Sequence, residues 1–161
     1  VNIKKRCAVT FFIPIILLLA ANGCKINPDL STGEVEQSVF QEVNKYRLSI
    51  QLEQLIWNNV ITQQCREHSE SMAAGDAAVG HEGYEERFAN IRKSLTDAVS
   101  FGENVAYISG HPDPGGYALE LWLDNPVHRE NIEGKFNLTG VGVASGGGGG
   151  YYITQIFIKT K

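Results

Sequence analysis

The chain has 161 residues, 43% of them hydrophobic and 20% charged, with a formal net charge of −4. That length suits one domain with a single buried core. An acidic balance without a basic stripe excludes non-specific nucleic-acid binding.

The first residues carry Lys4, Lys5 and Arg6, then an apolar run from Ala8 to Ala21 broken only by Thr10 and Pro14. A basic start before a short apolar run reads as an export signal over residues 1–23, too short for a stable mature span. Ala20-Ala21-Asn22-Gly23 ends at Cys24. This stretch resembles a bacterial lipobox, in which the cysteine is lipidated and becomes the new N-terminus. Ala21 stands where leucine is commonest, and Asn22 is larger and more polar than usual. Ordinary secretion, or an uncleaved anchor, is the alternative to lipoprotein processing. Removing residues 1–23 takes away three positive charges and no acid, so the charge moves from −4 to −7. Cys7 leaves with the signal and Cys24 would carry lipid, so Cys65 has no partner for a disulfide.

Residues 24–30 read as the lipidated cysteine and a short tether, and residues 31–161 as the domain. Ser31 and Glu34 form a capping-box pattern, followed by Val35, Val39, Val43 and Tyr46 at helical spacing. Asn58 or Asn59 is placed to cap a second helix with Ile61, Cys65, His68 and Met72 on one face, stopped at Gly75. A short helix is expected near Glu85 to Lys93, with Phe88 and Ile91 as its apolar contacts. Val105 to Ile108 alternates as a strand does. A helix carrying Ala118, Leu121 and Trp122 follows the turn-rich Gly110 to Gly116 segment, with Leu121 assigned to the core. Pro126 ends it, and a loop is expected beyond. Thr139 to Ala144 and Tyr151 to Thr160 read as an antiparallel hairpin across five glycines. Helices first and strands later argue for an α+β fold.

Three motifs then stand in order: Gly80-His81, Phe101-Gly102-Glu103-Asn104-Val105-Ala106, and Trp122 followed by His128-Arg129-Glu130-Asn131-Ile132. Gly140-Val141-Gly142-Val143 closes the series. Their order and spacing resemble the CAP superfamily of cysteine-rich secretory, antigen 5 and pathogenesis-related proteins, in its short bacterial SCP-like form. The resemblance implies an α–β–α sandwich around a small, mainly antiparallel sheet. It also implies a cleft lined by two His and two Glu. His81, with Arg87 and Phe88 downstream, matches the first His; Glu103 matches the first Glu, and His128 the second His. The second Glu position holds Asn125, beside Asp124.

A His/Glu/His set with an open position suits a divalent zinc ion. The same residues would serve a polar ligand cleft without metal, or a structural hydrogen-bond network. No Gly-x-Ser-x-Gly occurs, and Cys65 and His68 share an apolar helix face, so neither a serine nor a cysteine nucleophile is assigned. Arg129 and Asn131 are expected to pin the segment after Pro126. Tyr151, Tyr152 and Phe157 are expected to be half core and half cleft wall. The functional expectation is a lipid-anchored, extracytoplasmic module that binds a lipid or other small molecule. A metal-dependent hydrolase and a structural envelope protein are the rivals. Under the binding reading Glu103→Gln costs little stability, with Leu121→Ala as the core control.

Overall fold

A computed structural model describes residues 30–161; the export-signal, lipidation and tether assignments before Leu30 lie outside the described residues. Helix α1 (Thr32–Ser49) opens on the expected capping box: Ser31 accepts from the Glu34 amide while the Glu34 side chain accepts from Ser31. Val35, Val39 and Val43 form its buried stripe. A two-residue strand, β1 (Ile56–Trp57), precedes α2 (Asn59–Ala74). Asn58 caps α2 through the amides of Val60 and Ile61, and Gly75 ends it with φ 82°, a conformation that costs glycine nothing.

Helix α3 (Tyr84–Ser94) leads into β2 (Ala98–Ser109), which is longer than the expected Val105–Ile108 strand. Gly102, Glu103 and Asn104 are poor strand formers, and tertiary partners hold them extended. Helix α4 (Pro114–Asp124) follows, and the expected loop after Pro126 is instead α5 (Pro126–Glu133). Pro126 does end α4, but its fixed φ and missing N–H also suit the first turn of the next helix. Asn125 caps that turn by accepting from the Val127 amide at 3.0 Å. In α4 the inward face carries Ala118, Leu119 and Trp122; Leu121 is 38% exposed, so the core assignment made from the sequence is corrected. The hairpin is β3 (Leu138–Ser145) and β4 (Gly150–Thr160).

The sheet order is β1-β3-β4-β2, antiparallel except for the β1–β3 pair. One core joins α1, α4 and the sheet through Val39, Trp122, Val141, Ile153 and Phe157. The other joins α2 and α3 to the opposite face through Ile61, Cys65, Ile91, Ile156 and Ile158. Alternation along β4 divides the two sets, giving the α–β–α sandwich. Gly142 lets α2 lie directly on the sheet: a Cβ there would come 2.1 Å from the Arg66 amide nitrogen.

Strand β2 lies at one end of the sheet order. Its carbonyls at Phe101, Glu103 and Val105 are taken by side chains rather than by another strand. Tyr84 Oη donates to the first at 3.4 Å, Asn131 Nδ2 to the second at 3.1 Å, and Trp122 Nε1 to the third at 3.1 Å. Three helices thereby close an edge that would otherwise template further pairing.

Candidate functional site

The site straddles that edge. Consecutive residues of β2 point to opposite faces, so Glu103 faces α3 and Asn104 faces α5. Gly102 makes room for α5: a Cβ would lie 2.6 Å from Asn131 Oδ1. Asn104, fully buried, donates through Nδ2 to the His128 carbonyl at 3.1 Å, and its Oδ1 accepts from Asn131 Nδ2 at 2.9 Å. Those bonds fix α5, and with it His128, against the strand.

On the other face the Glu103 carboxylate is buried and receives a two-pronged Arg87 guanidinium. Arg87 Nε donates to Oε2 at 2.7 Å and Nη2 to Oε1 at 2.7 Å. Arg87 Nη1 donates to the Glu82 carbonyl at 2.6 Å, which ties the loop before α3 to the same pair. His81 Nδ1 lies 2.9 Å from Glu103 Oε1. A carboxylate only accepts, so Nδ1 carries the proton; in the neutral form of the ring Nε2 is then the acceptor. Burial would raise the Glu103 pKa, but the hydrogen bonds from His81 and Arg87 and the Arg87 charge outweigh it, and the carboxyl is held below its ordinary value.

The His81 side chain is 48% exposed, and its ring centroid stands 6.1 Å from that of His128, edge to face. Burial, then the nearby His81, lowers the His128 pKa, so His128 is neutral near pH 7. Three sequence-predicted residues, His81, Glu103 and His128, therefore meet across the β2 edge. The fourth does not: Asn125 is exposed at the α4–α5 junction and uses its side chain as a helix cap. Tyr152 packs against Tyr107 instead, with tilted rings whose centroids are 4.7 Å apart, while Phe157 belongs entirely to the core.

Two supporting residues carried weaker sequence signals. Arg87 stood out only as a landmark after His81, since nothing in helical periodicity distinguishes a buried ion-pair arginine from a solvated one. His68, assigned to a structural role, holds the loop: its Nε2 donates to the Gly80 carbonyl at 2.8 Å, next to His81. Burial lowers its pKa and keeps it neutral. Arg129 fixes the α4–α5 turn, donating to the Leu123 carbonyl at 2.7 Å.

The zinc expectation meets a specific obstacle. Both Glu103 oxygens already accept from Arg87, and Oε1 accepts from His81 as well, so most of the acceptor capacity of this carboxylate is taken. Among the described residues no group of three His, Cys, Asp or Glu side chains is arranged to hold a metal ion. The His/Glu/His set thus does not fit a three-ligand centre, and the remaining donors are the two imidazoles. Nor does the imidazole pair line either of two neighbouring cavities. One, of about 310 Å³, lies between α2 and α3 beside His68, Glu82 and Arg87. The other, of about 410 Å³, lies beside Leu123, Pro126 and Arg129.

The profile of the cysteine-rich secretory protein family matches residues 40–157. The chain belongs to the CAP family. A search of curated protein sequences returns no significant match. Among solved structures, the CAP domain here is similar to an outer surface protein of Borrelia burgdorferi. The two share 16% identity and a TM-score of 0.68, over 82% of this chain and 97% of the other. It is also similar to an extracellular SCP-domain protein of Bacillus anthracis, with 25% identity and a TM-score of 0.61 over 80% of this chain. A cysteine-rich secretory protein of Staphylococcus aureus aligns at 16% identity and a TM-score of 0.64 over 83% of this chain. The last two are longer proteins, of which the match covers 41% in each case. The fold is the α+β CAP sandwich.

Proposed function

We propose that this CAP domain is an extracytoplasmic binding module, tethered to the bacterial envelope through a lipidated Cys24. Its recognition site is the His81–His128 pair at the β2 edge. The observation that carries this reading is the division of labour in the site. Glu103 and Arg87 are buried and satisfy each other, while the imidazole they orient is half exposed and meets Glu103 through Nδ1, not Nε2. A purely structural network would have no need to leave that imidazole half exposed. The ligand class is one that donates a hydrogen bond to Nε2, such as a hydroxyl or ammonium group on a lipid or other small molecule. The described outer-surface and extracellular relatives support the location.

The site residues do not favour a hydrolase. Glu103 is held ionised by a guanidinium and is poorly placed to shuttle a proton. The deciding experiment is native mass spectrometry of the purified full chain, with elemental analysis of the same sample. A co-purifying organic ligand that is lost in His81→Ala supports the binding reading. Stoichiometric zinc retained by wild type and lost in His81→Ala would replace it with a metal centre built on the two imidazoles. For the anchor, Cys24→Ser should abolish palmitate labelling and release the protein from membranes; retention of the variant would point to an uncleaved hydrophobic anchor.

A further inference from the structure

We propose that the end of the domain formed by the Gly146–Gly149 turn, Tyr107 and Tyr152 is a membrane-contacting face. It would lie in the headgroup region of the bilayer that holds the Cys24 lipid. The proposal rests on the anchoring reading above and adds an orientation to it.

The tether sets the geometry. Five residues lie between Cys24 and Leu30, so the lipid-bearing residue stays within roughly 20 Å of Leu30 even when the chain is fully extended. Leu30 is fixed in place: its carbonyl accepts from Tyr151 Oη at 2.6 Å, and its side chain packs on the α1-side core. Tyr151 occupies the last rungs of the sheet, opposite Ser145 on β3 and Ile108 on β2. Leu30 therefore sits at the hairpin-tip end of the domain, not at the end where β1 and the C-terminus lie.

The chemistry of that tip suits a membrane interface. No Asp, Glu, Lys or Arg occurs from Tyr107 to Pro112 or from Ser145 to Gln155, in a chain that is otherwise one-fifth charged. Glu34 and Asp113, on the neighbouring helix starts, are engaged as capping groups by Ser31 and the Gly116 amide. Tyr107 is 44% exposed and stacks on Tyr152, with its hydroxyl lying over Gly150, where a Cβ would come within 2.5 Å of it. Tyrosine favours the headgroup level because its ring is apolar and its hydroxyl is wet. The opposite end of the sheet carries Asp97, Lys159 and Lys161. An acidic domain beside anionic lipid is repelled least through the end where its charges are sparsest.

The orientation places the recognition site. Glu103 is five residues up β2 from Ile108, or about 16 Å along the strand. The imidazole pair then stands on the flank of the domain, in water just above the headgroups, rather than pressed into them.

The test uses the full chain, processed in a bacterial host and reconstituted in phosphatidylcholine vesicles whose acyl chains are brominated near the headgroup. A fluorescent thiol label is placed at Gly147→Cys, where a side chain meets open space, or at Ile56→Cys, at the far end of the sheet. Cys65 is fully buried and does not compete for label. The expected result is quenching at position 147 at least threefold above that at position 56. Adding Tyr107→Asp and Tyr152→Asp should remove the difference while the protein still floats with the vesicles. Vesicle-bound protein with equal quenching at both positions, or more at 56, would overturn the orientation and leave the anchor standing. Wild-type protein that fails to float, the result expected only of Cys24→Ser, would overturn the anchor and the orientation together.

Discussion

Two glutamates of this domain are buried beneath a two-pronged arginine, and the two pairs do different work. Glu36 on α1 receives Arg66 of α2 at 2.8 and 2.6 Å and also accepts from the Val143 amide at 3.3 Å. It stitches two helices to a stretch of β3 that the short β1 does not reach. Glu103 receives Arg87 with similar distances, but its third donor is an imidazole instead of a backbone amide. The Arg66 side chain is 47% exposed, whereas that of Arg87 is 9% exposed. In the first pair all three donors serve the fold. In the second, the third donor is a side chain whose other face meets solvent. The same ionic device thus closes the architecture at one edge and orients a recognition group at the other.

The largest expected effect separates the pairs by burial. Removing Glu103 leaves the Arg87 guanidinium buried without a counter-charge, so Glu103→Ala should cost about 3–5 kcal/mol in urea unfolding. Even Glu103→Gln should cost well over 1 kcal/mol, because the amide nitrogen now faces a cation. This replaces the near-neutral outcome expected from the sequence. Leu121, being exposed, is no longer a core control; Ile156→Ala takes that place, at about 2–5 kcal/mol. Glu36→Ala should fall lower, at about 1–3 kcal/mol, since Arg66 can return to water. Equal losses for Glu36→Ala and Glu103→Ala would show that burial of the arginine does not distinguish the pairs.

A smaller effect concerns the β2 edge. Asn131→Ala removes the donor to the Glu103 carbonyl and should cost about 1–3 kcal/mol, while disturbing the backbone amide signals of both β2 and α5 in NMR spectra. A disturbance confined to α5 would mean that the strand edge is held without it.

Acidification should sharpen the comparison further. The folded-state pKa values of His68 and His128 lie below their ordinary 6.5, so the unfolded chain takes up protons first. Their contribution to stability is full above that value and declines as pH falls below it. Glu103 is likewise depressed, so its contribution is present above the ordinary 4.5 and is lost as pH drops through the lower, folded value. Unfolding measured from pH 8 to pH 3 should show both windows, and Glu103→Gln should flatten the lower one. No comparable acid step is expected to vanish in Arg129→Ala, which touches only a carbonyl.

Local signals made much of this fold legible in advance. The Ser31–Glu34 box, the Asn58 cap and the Gly75 stop are each complete within a few residues, and the structure keeps all three. The start of β2 and all of α5 depend on distant partners: Asn131 and Trp122 occupy the strand's carbonyls, and the strand in turn seats the helix. No window of sequence contains both halves of that arrangement. Leu119 and Leu121 flank the Ala118–Trp122 stripe on opposite sides, and only the packing of α4 against the rest of the domain turns Leu119 inward. The site was legible in its three principal residues because their motifs are spaced as in the CAP family. The role of Arg87, which donates to both Glu103 oxygens, became apparent only from its geometry.

The central claim is that Glu103 orients His81 and leaves Nε2 open. Nitrogen-15 NMR of the histidine rings near pH 7.5 tests it most directly. The account predicts that the neutral His81 ring is predominantly the Nδ1-protonated tautomer, and that this preference is lost in Glu103→Gln. A His81 ring protonated at Nε2 in the wild-type protein, unchanged in the variant, would contradict it.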